Sequence, residues 1–390
     1  MRLPMRFLMV LDKPWDRNLG APRVQMELAH ELRESGHIVD KYDWFDAFPR
    51  ATSSKLGSKL HALAGRAFST QAGAFVRSVA RHYDIIESQQ GNLPFTKAEL
   101  GFDGLLVARS IGLADFYREF ERSSRERWPD DRGSLPGRAL HWWVDRRKAP
   151  RDRRSLEVAD LINLPNSDEL RFVQEALALG DKAVLLPNAL EERHLARLRE
   201  GADSADARLA RPLVVFIGWW SPRKGSRDWM EIIARVRQEL PATRFRFLGT
   251  GGAPGRVRAT AGIADAEVIP YFDSEDLPML LRDATVGALP TYVEGFGLGV
   301  IEQLAAGIPS VAYDSPGPRD TLPRVDPSFL TPPGDTNVFA ARILRLLRAS
   351  PVEYSQLADR CIREAQHFSW KHVAPLTLDA YMSRLEQIRG

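Results

Sequence analysis

A supersecondary pattern that occurs twice constrains this chain more than any other feature. Leu213-Val214-Val215-Phe216-Ile217 is a nearly continuous apolar run that passes into a glycine-bearing loop and then a stretch of helical spacing, about Asp228 to Leu240. A strand apolar on both sides has helices over both faces, as strands of parallel sheets do. The chain opens on the same arrangement. Arg6 to Leu11 is a short apolar run, Asp12 to Pro22 a loop containing Gly20, and Val24, Met26, Leu28, Ala29 and Leu32 recur at helical spacing until Gly36. Ile38-Val39 then starts a second strand, completing a βαβ unit. Further strands are expected at Asp84 to Glu87, Leu105 to Ala108, Ala159 to Leu164 and Ala183 to Asn188 in the first half. In the second they are expected at Arg244 to Leu248, Glu267 to Ile269, Val286 to Leu289 and Ser310 to Tyr313. Glu191 to Arg211, rich in Ala, Asp, Glu and Arg, reads as a linker with some helix, and Asn337 to Ile388 reads as helical. A chain of 390 residues exceeds an ordinary single core, so the expectation is α/β followed by α/β.

Composition removes several classes of function. Hydrophobic content of 44% and charged content of 27% describe a globular chain, and no apolar run approaches the roughly 20 residues that cross a bilayer. The opening segment to Trp15 reads as a buried strand, since a signal peptide needs a longer apolar region and a small-residue cleavage site. Cys361 is the only cysteine, so a disulfide framework and a cysteine metal cage are excluded, and a cytoplasmic location is expected. Net charge is only +3, but Arg122 to Arg154 is densely basic: Arg138, Arg146, Arg147, Lys148, Arg151, Arg153 and Arg154, with Trp128, Trp142 and Trp143 among them. Two readings stand for it. One is a solvated helix face; the other is peripheral docking on anionic lipid, at the inner face of a membrane, or on an anionic acceptor. Nucleic acid is not expected, because no nucleic-acid module is recognisable.

Two segments carry chemistry. Gly218-Trp219-Trp220-Ser221-Pro222-Arg223-Lys224-Gly225 follows a strand and precedes a helix, whose unpaired N–H groups suit phosphate. Lys224 adds a full positive charge where a diphosphate would lie, although a surface turn with incidental basic residues has the same look. Thr291 to Glu302 follows the strand Val286 to Leu289. In it Gly295, Gly297 and Gly299 let a ligand approach backbone amides closely. Glu294 lies in the loop and Glu302 in the following helix, so two carboxylates can accept hydrogen bonds from two sets of sugar hydroxyls.

Glu294 through Glu302 resembles the E-x7-E signature of the retaining GT-B glycosyltransferases of family GT4. Its neighbours match in order. Gly218 to Gly225 resembles the family's diphosphate loop. Leu186-Pro187-Asn188 resembles the turn ending the first domain, Ala306 to Ala312 the strand after the signature, and Phe368-Ser369-Trp370 the segment before the final helix. The resemblance implies a GT-B fold, two Rossmann-like domains facing across a cleft. The acceptor-binding domain is expected over residues 1–195 and the nucleotide-sugar domain over 196–370, with a helix over 371–390 packing back on the first. It implies Glu302 on the donor ribose and Glu294 on the transferred sugar. Lys224 is implied on the diphosphate, together with Gly218 and Arg223. The amides around Gly295, Phe296, Gly297 and Leu298 are implied on sugar and phosphate. Gly20 is implied to face the phosphates from the first domain, with Arg23 close by.

The implied activity is retaining transfer of a hexosyl group from a nucleotide-diphosphate sugar, without metal or cofactor, to a glycan, glycolipid or small-molecule hydroxyl. Surface-polysaccharide or glycolipid synthesis fits such an acceptor. A sugar-nucleotide epimerase of similar fold and a non-catalytic scaffold are the alternatives. The departures bear on the site. Trp219 stands where the family has arginine: either Arg223, Arg227 or Arg23 supplies the missing cation, or the Trp219-Trp220 pair stacks on a base or ring. Ala189 replaces a glycine. The loop in which the family often places a histidine reads Arg109-Ser110-Ile111-Gly112, and no histidine, His37, His61 and His82 included, sits in a recognisable motif. Gln89-Gln90-Gly91-Asn92 and the Arg109 to Arg154 region are expected to govern the acceptor.

Overall fold

The computed structural model describes residues 4–49, 68–129 and 135–390; within the helix Leu135–Val158, the side chains of 135–145 and of 147 lie outside the description. The chain forms two compact units, Met1–Pro187 with Ala374–Gly390, and Asn188–Val373. Each is a fully parallel six-stranded sheet with helical crossovers, as apolar runs linked by amphipathic segments require.

In the first unit β1 (Arg6–Val10), β2 (Ile38–Tyr42), β3 (Ile85–Gln89), β4 (Leu105–Arg109), β5 (Leu161–Leu164) and β6 (Ala183–Leu185) lie in the order β2-β1-β3-β4-β5-β6. The polar end of β3 is buried because its side chains satisfy one another. Arg109 donates to both Glu87 oxygens, Nε to Oε1 at 2.8 Å and Nη2 to Oε2 at 3.1 Å. Tyr381, from the helix Trp370–Arg389, donates to Glu87 Oε2 at 2.5 Å and accepts from Asn163 Nδ2 at 2.8 Å. Arg109 is therefore a core cation of this unit: it is 1% exposed and fully engaged. A buried ion pair is tolerable only with such extra hydrogen bonds.

In the second unit β7 (Leu213–Ile217), β8 (Arg244–Leu248), β9 (Glu267–Ile269), β10 (Val286–Leu289), β11 (Ser310–Tyr313) and β12 (Leu330–Thr331) are ordered β12-β11-β10-β7-β8-β9. The order reverses direction at β7 and β10, which pair in parallel with Val286 opposite Val214 and Gly287 opposite Val215. Open α/β sheets bind ligands beyond the carboxyl ends of strands at such a reversal. The loops leaving β7 and β10 are the two segments that the sequence singles out. In the first unit the reversal falls between β1 and β3.

Two local expectations are corrected. Glu191 to Arg211 is no linker: it forms the helices Glu192–Glu200 and Ala205–Ala210, which belong to the second unit and bury His194, Leu195, Leu198 and Arg208. Its charged composition hides a narrow buried face. Arg208 reaches inward to the carbonyls of Arg282, Ala306 and Gly307 at 3.1, 3.0 and 3.2 Å. Gly20 is not in the loop after β1 but is the first residue of the helix Gly20–Glu34.

Candidate active site

The loops after β7 and β10 are sewn together by backbone. Tyr292 N–H donates to the Arg223 carbonyl at 2.9 Å, and the Arg223 guanidinium donates to the Val293 carbonyl at 2.7 Å. Gly225 makes the approach possible: it has φ +75°, and a Cβ there would lie 2.1 Å from the Pro290 carbonyl oxygen. Asp228 anchors the arrangement from below, accepting from the Tyr292 hydroxyl at 2.6 Å and the Tyr313 hydroxyl at 2.7 Å.

With the loops so placed, the Lys224 ammonium forms an ion pair with Glu294 Oε2. The two side chains are only 14% and 15% exposed. Burial pulls the Lys224 ammonium below its ordinary pKa, Glu294 opposes that and Arg223 adds to it. Burial also disfavours the Glu294 carboxylate. Lys224, Arg223 and the Gly295 amide together outweigh that and hold its pKa below the usual carboxylate range. A desolvated cation and anion that depend on each other can exchange partners for a ligand of matching charge.

The helix Leu298–Ala305 starts beside this pair, after Gly297 in the left-handed region at φ +91°, and no side chain caps it. Its first amides therefore keep the partial positive charge of a helix start. Glu302, on the second turn, is 5% exposed, and its Oε1 lies 3.3 Å from Nε2 of His194. Motif segments far apart in sequence converge here. Leu190 N–H donates to the Phe368 carbonyl at 2.9 Å, Trp370 N–H returns to the Leu190 carbonyl at 3.0 Å, and Ser369 Oγ donates to Glu192 at 2.6 Å. Phe368 packs edge-on against Phe296, 5.5 Å between ring centres.

The structure brings Gly218, Arg223, Lys224, Glu294, Gly295, Phe296, Gly297, Leu298 and Glu302 into one unit. Among them Lys224 and Glu294 touch, and the Lys224 stem runs back over Gly218, 3.7 Å from where a Cβ would stand. Gly20 lies in the other unit, where a Cβ would meet nothing within 4 Å. The tryptophan pair divides. Trp220 is 9% exposed, edge-on to Phe216 and Phe247 in the core, whereas Trp219 is 57% exposed and covers Gly251. Of the cations offered in place of the missing arginine, Arg223 holds the Val293 carbonyl and Arg23 is buried with Nε 2.5 Å from Glu27. His194 is a residue that the sequence reading passed over. The signal was faint: positions 194, 195 and 198 share one helical face within an otherwise charged segment.

The side chains of Arg138, Trp142, Trp143 and Arg147, and all of His61, lie outside the described residues. Of the described basic side chains, Arg153 and Arg154 are about half exposed and pair with Glu157 and Glu99. No helix among the described residues is long and apolar enough to cross a membrane. Nor is there, among them, a cluster of three side chains able to hold a metal ion.

Sucrose-phosphate synthase from Thermosynechococcus elongatus superposes with a TM-score of 0.76 over 97% of this chain and 98% of its own, at 19% identity. HepE from Anabaena, solved in complex with UDP and glucose, gives a TM-score of 0.64 over 97% and 100% of the two chains, at 15% identity. The fold is thus that of the GT-B class, two Rossmann-like α/β domains. Residues 211–349 match the family described as "Glycosyl transferases group 1". The D-inositol 3-phosphate glycosyltransferase of Rhodococcus erythropolis is 30% identical over 203 residues, 48% of this chain and 46% of that protein. The chain spans about half the length of the curated relatives it matches.

Proposed function

We propose that this chain is a glycosyltransferase that moves a hexosyl group from a nucleoside-diphosphate sugar to a hydroxyl of a glycan, glycolipid or small-molecule acceptor. Transfer retains the anomeric configuration and needs no metal. The observation that carries the reading is the buried Lys224–Glu294 pair, formed where two strands at a sheet reversal end beside an uncapped helix start. The similarity of residues 211–349 to group 1 glycosyl transferases supports it.

Bound donor exchanges the partners of the pair. The diphosphate takes the Lys224 ammonium and the amides from Gly295 to Leu298, while Glu294 accepts from sugar hydroxyls and Glu302 from the ribose. As the bond from C1 to the diphosphate oxygen breaks, charge grows on that oxygen, next to donors already in place. The acceptor oxygen bonds to C1 on the face the diphosphate leaves, and its proton passes to the departing phosphate. No protein base is required, and the protein contributes position and electrostatics.

Lys224→Ala removes the oriented charge, and turnover falls by about 30- to 1,000-fold, the effect of losing about 2–4 kcal/mol at a developing anion. The assay follows nucleoside diphosphate release with and without an acceptor pool. Full activity in the variant contradicts the assignment. Donor rearrangement with no acceptor present indicates an epimerase instead.

A further inference from the structure

We infer that His194 is the positioning residue for Glu302: it fixes the carboxylate that receives the donor ribose and so sets the affinity for the ribose hydroxyls. The inference rests on the reading above that Glu302 holds the ribose.

A carboxylate 5% exposed on the second turn of a helix has lost most of its water and needs hydrogen-bond donors in its place. His194 is itself 7% exposed, and its Nε2 lies 3.3 Å from Oε1 of Glu302. Its backbone is held from two sides. The helix Glu192–Glu200 begins two residues after Leu190, which forms an isolated parallel bridge with Ser369, and Glu192 accepts from the Ser369 hydroxyl at 2.6 Å. The helix is also anchored in the core through Leu195 and Leu198. The far end of the Glu302 helix is gripped separately, by Arg208 on the carbonyls of Ala306 and Gly307. An imidazole on a fixed backbone thus faces a carboxylate on a fixed helix. The Leu190–Ser369 bridge and the helix that follows it thereby bear on the Glu302 carboxylate.

The test compares wild type, His194→Leu, His194→Gln and Glu302→Gln, each confirmed folded by its melting temperature. UDP, GDP and ADP are titrated calorimetrically beside their 2′,3′-dideoxy analogues, and the readout is the ratio of the two dissociation constants. Wild type prefers the ribonucleotide. His194→Leu lowers that preference by roughly 3–10-fold, as the loss of one oriented hydrogen bond does. His194→Gln, whose amide nitrogen can occupy the Nε2 position, keeps most of it. General loosening of the unit weakens both nucleotides alike and leaves the ratio unmoved. If Glu302→Gln lowers the preference and His194→Leu does not, the positioning role is overturned while the ribose reading stands. An unchanged preference in Glu302→Gln overturns the ribose reading, and the role of His194 with it.

Discussion

Lys224 is buried, desolvated and held by one carboxylate, so its charge is available only to a ligand that can replace Glu294. Trp219 alters the surroundings of that charge. With more than half its surface exposed and its ring over Gly251, it offers a flat apolar face in place of a second cation. Gly20 raises a different question at the same scale. It takes ordinary helical φ, and a side chain there would find open space, so neither backbone nor packing demands a glycine. Gly20→Ala should therefore leave the melting temperature unchanged or slightly higher, alanine being favoured over glycine in helices by about 0.5–1 kcal/mol. If a ligand approaches this backbone closely, kcat/KM falls at least about tenfold in the same variant, an effect of about 1.4 kcal/mol. Unchanged kinetics would remove Gly20 from the site.

Individual elements supply two measurable terms. Glu169, at the start of the helix Ser167–Glu175, is buried among Ser110, Asn166 and the Leu113 amide, and burial raises its pKa to about 7 from 4.5. The folded state therefore binds a proton that the unfolded chain has released. The resulting stability is complete below pH 4.5 and is lost as pH rises through about 7. Glu169→Gln removes the dependence. Denaturant unfolding at pH 5 and pH 8 should show the wild type losing up to about 3 kcal/mol more than the variant. Equal losses would place the titration elsewhere. Arg208 closes the carboxyl end of the helix Leu298–Ala305, and Arg208→Met keeps the apolar stem while taking the guanidinium from the buried carbonyls of Ala306 and Gly307. A loss of about 2–3 kcal/mol is expected in the same assay, and stability within experimental error of wild type would show that water replaces the guanidinium.

For the whole molecule, the two-fold α/β organisation was legible because short apolar runs bounded by turn residues, each followed by a helical pattern, read as strands covered on both faces, and the strands expected from Leu213 to Tyr313 lie where they were read. The shared opening of each half, strand then loop then helix, carried the fold class. Strand order was not legible, and with it the reason why the β7 and β10 loops meet: local pattern carries no information about which strands are neighbours. Gly218, Lys224, Glu294 and Glu302 stood out through spacing and charge, whereas His194 acquired meaning only when its helix packed against Leu298–Ala305. Likewise, Trp219 and Trp220 are equivalent as letters and opposite in burial. The central claim is that Lys224 exchanges Glu294 for a diphosphate, and it is tested most directly by calorimetric binding of a nucleoside diphosphate without sugar. UDP, GDP and ADP are screened first, and the tightest is used. Glu294→Gln, which removes the competing carboxylate, should bind that ligand as well as wild type or better, while Lys224→Ala binds at least about tenfold more weakly. Equal weakening in both variants would contradict the exchange and leave the pair a structural one.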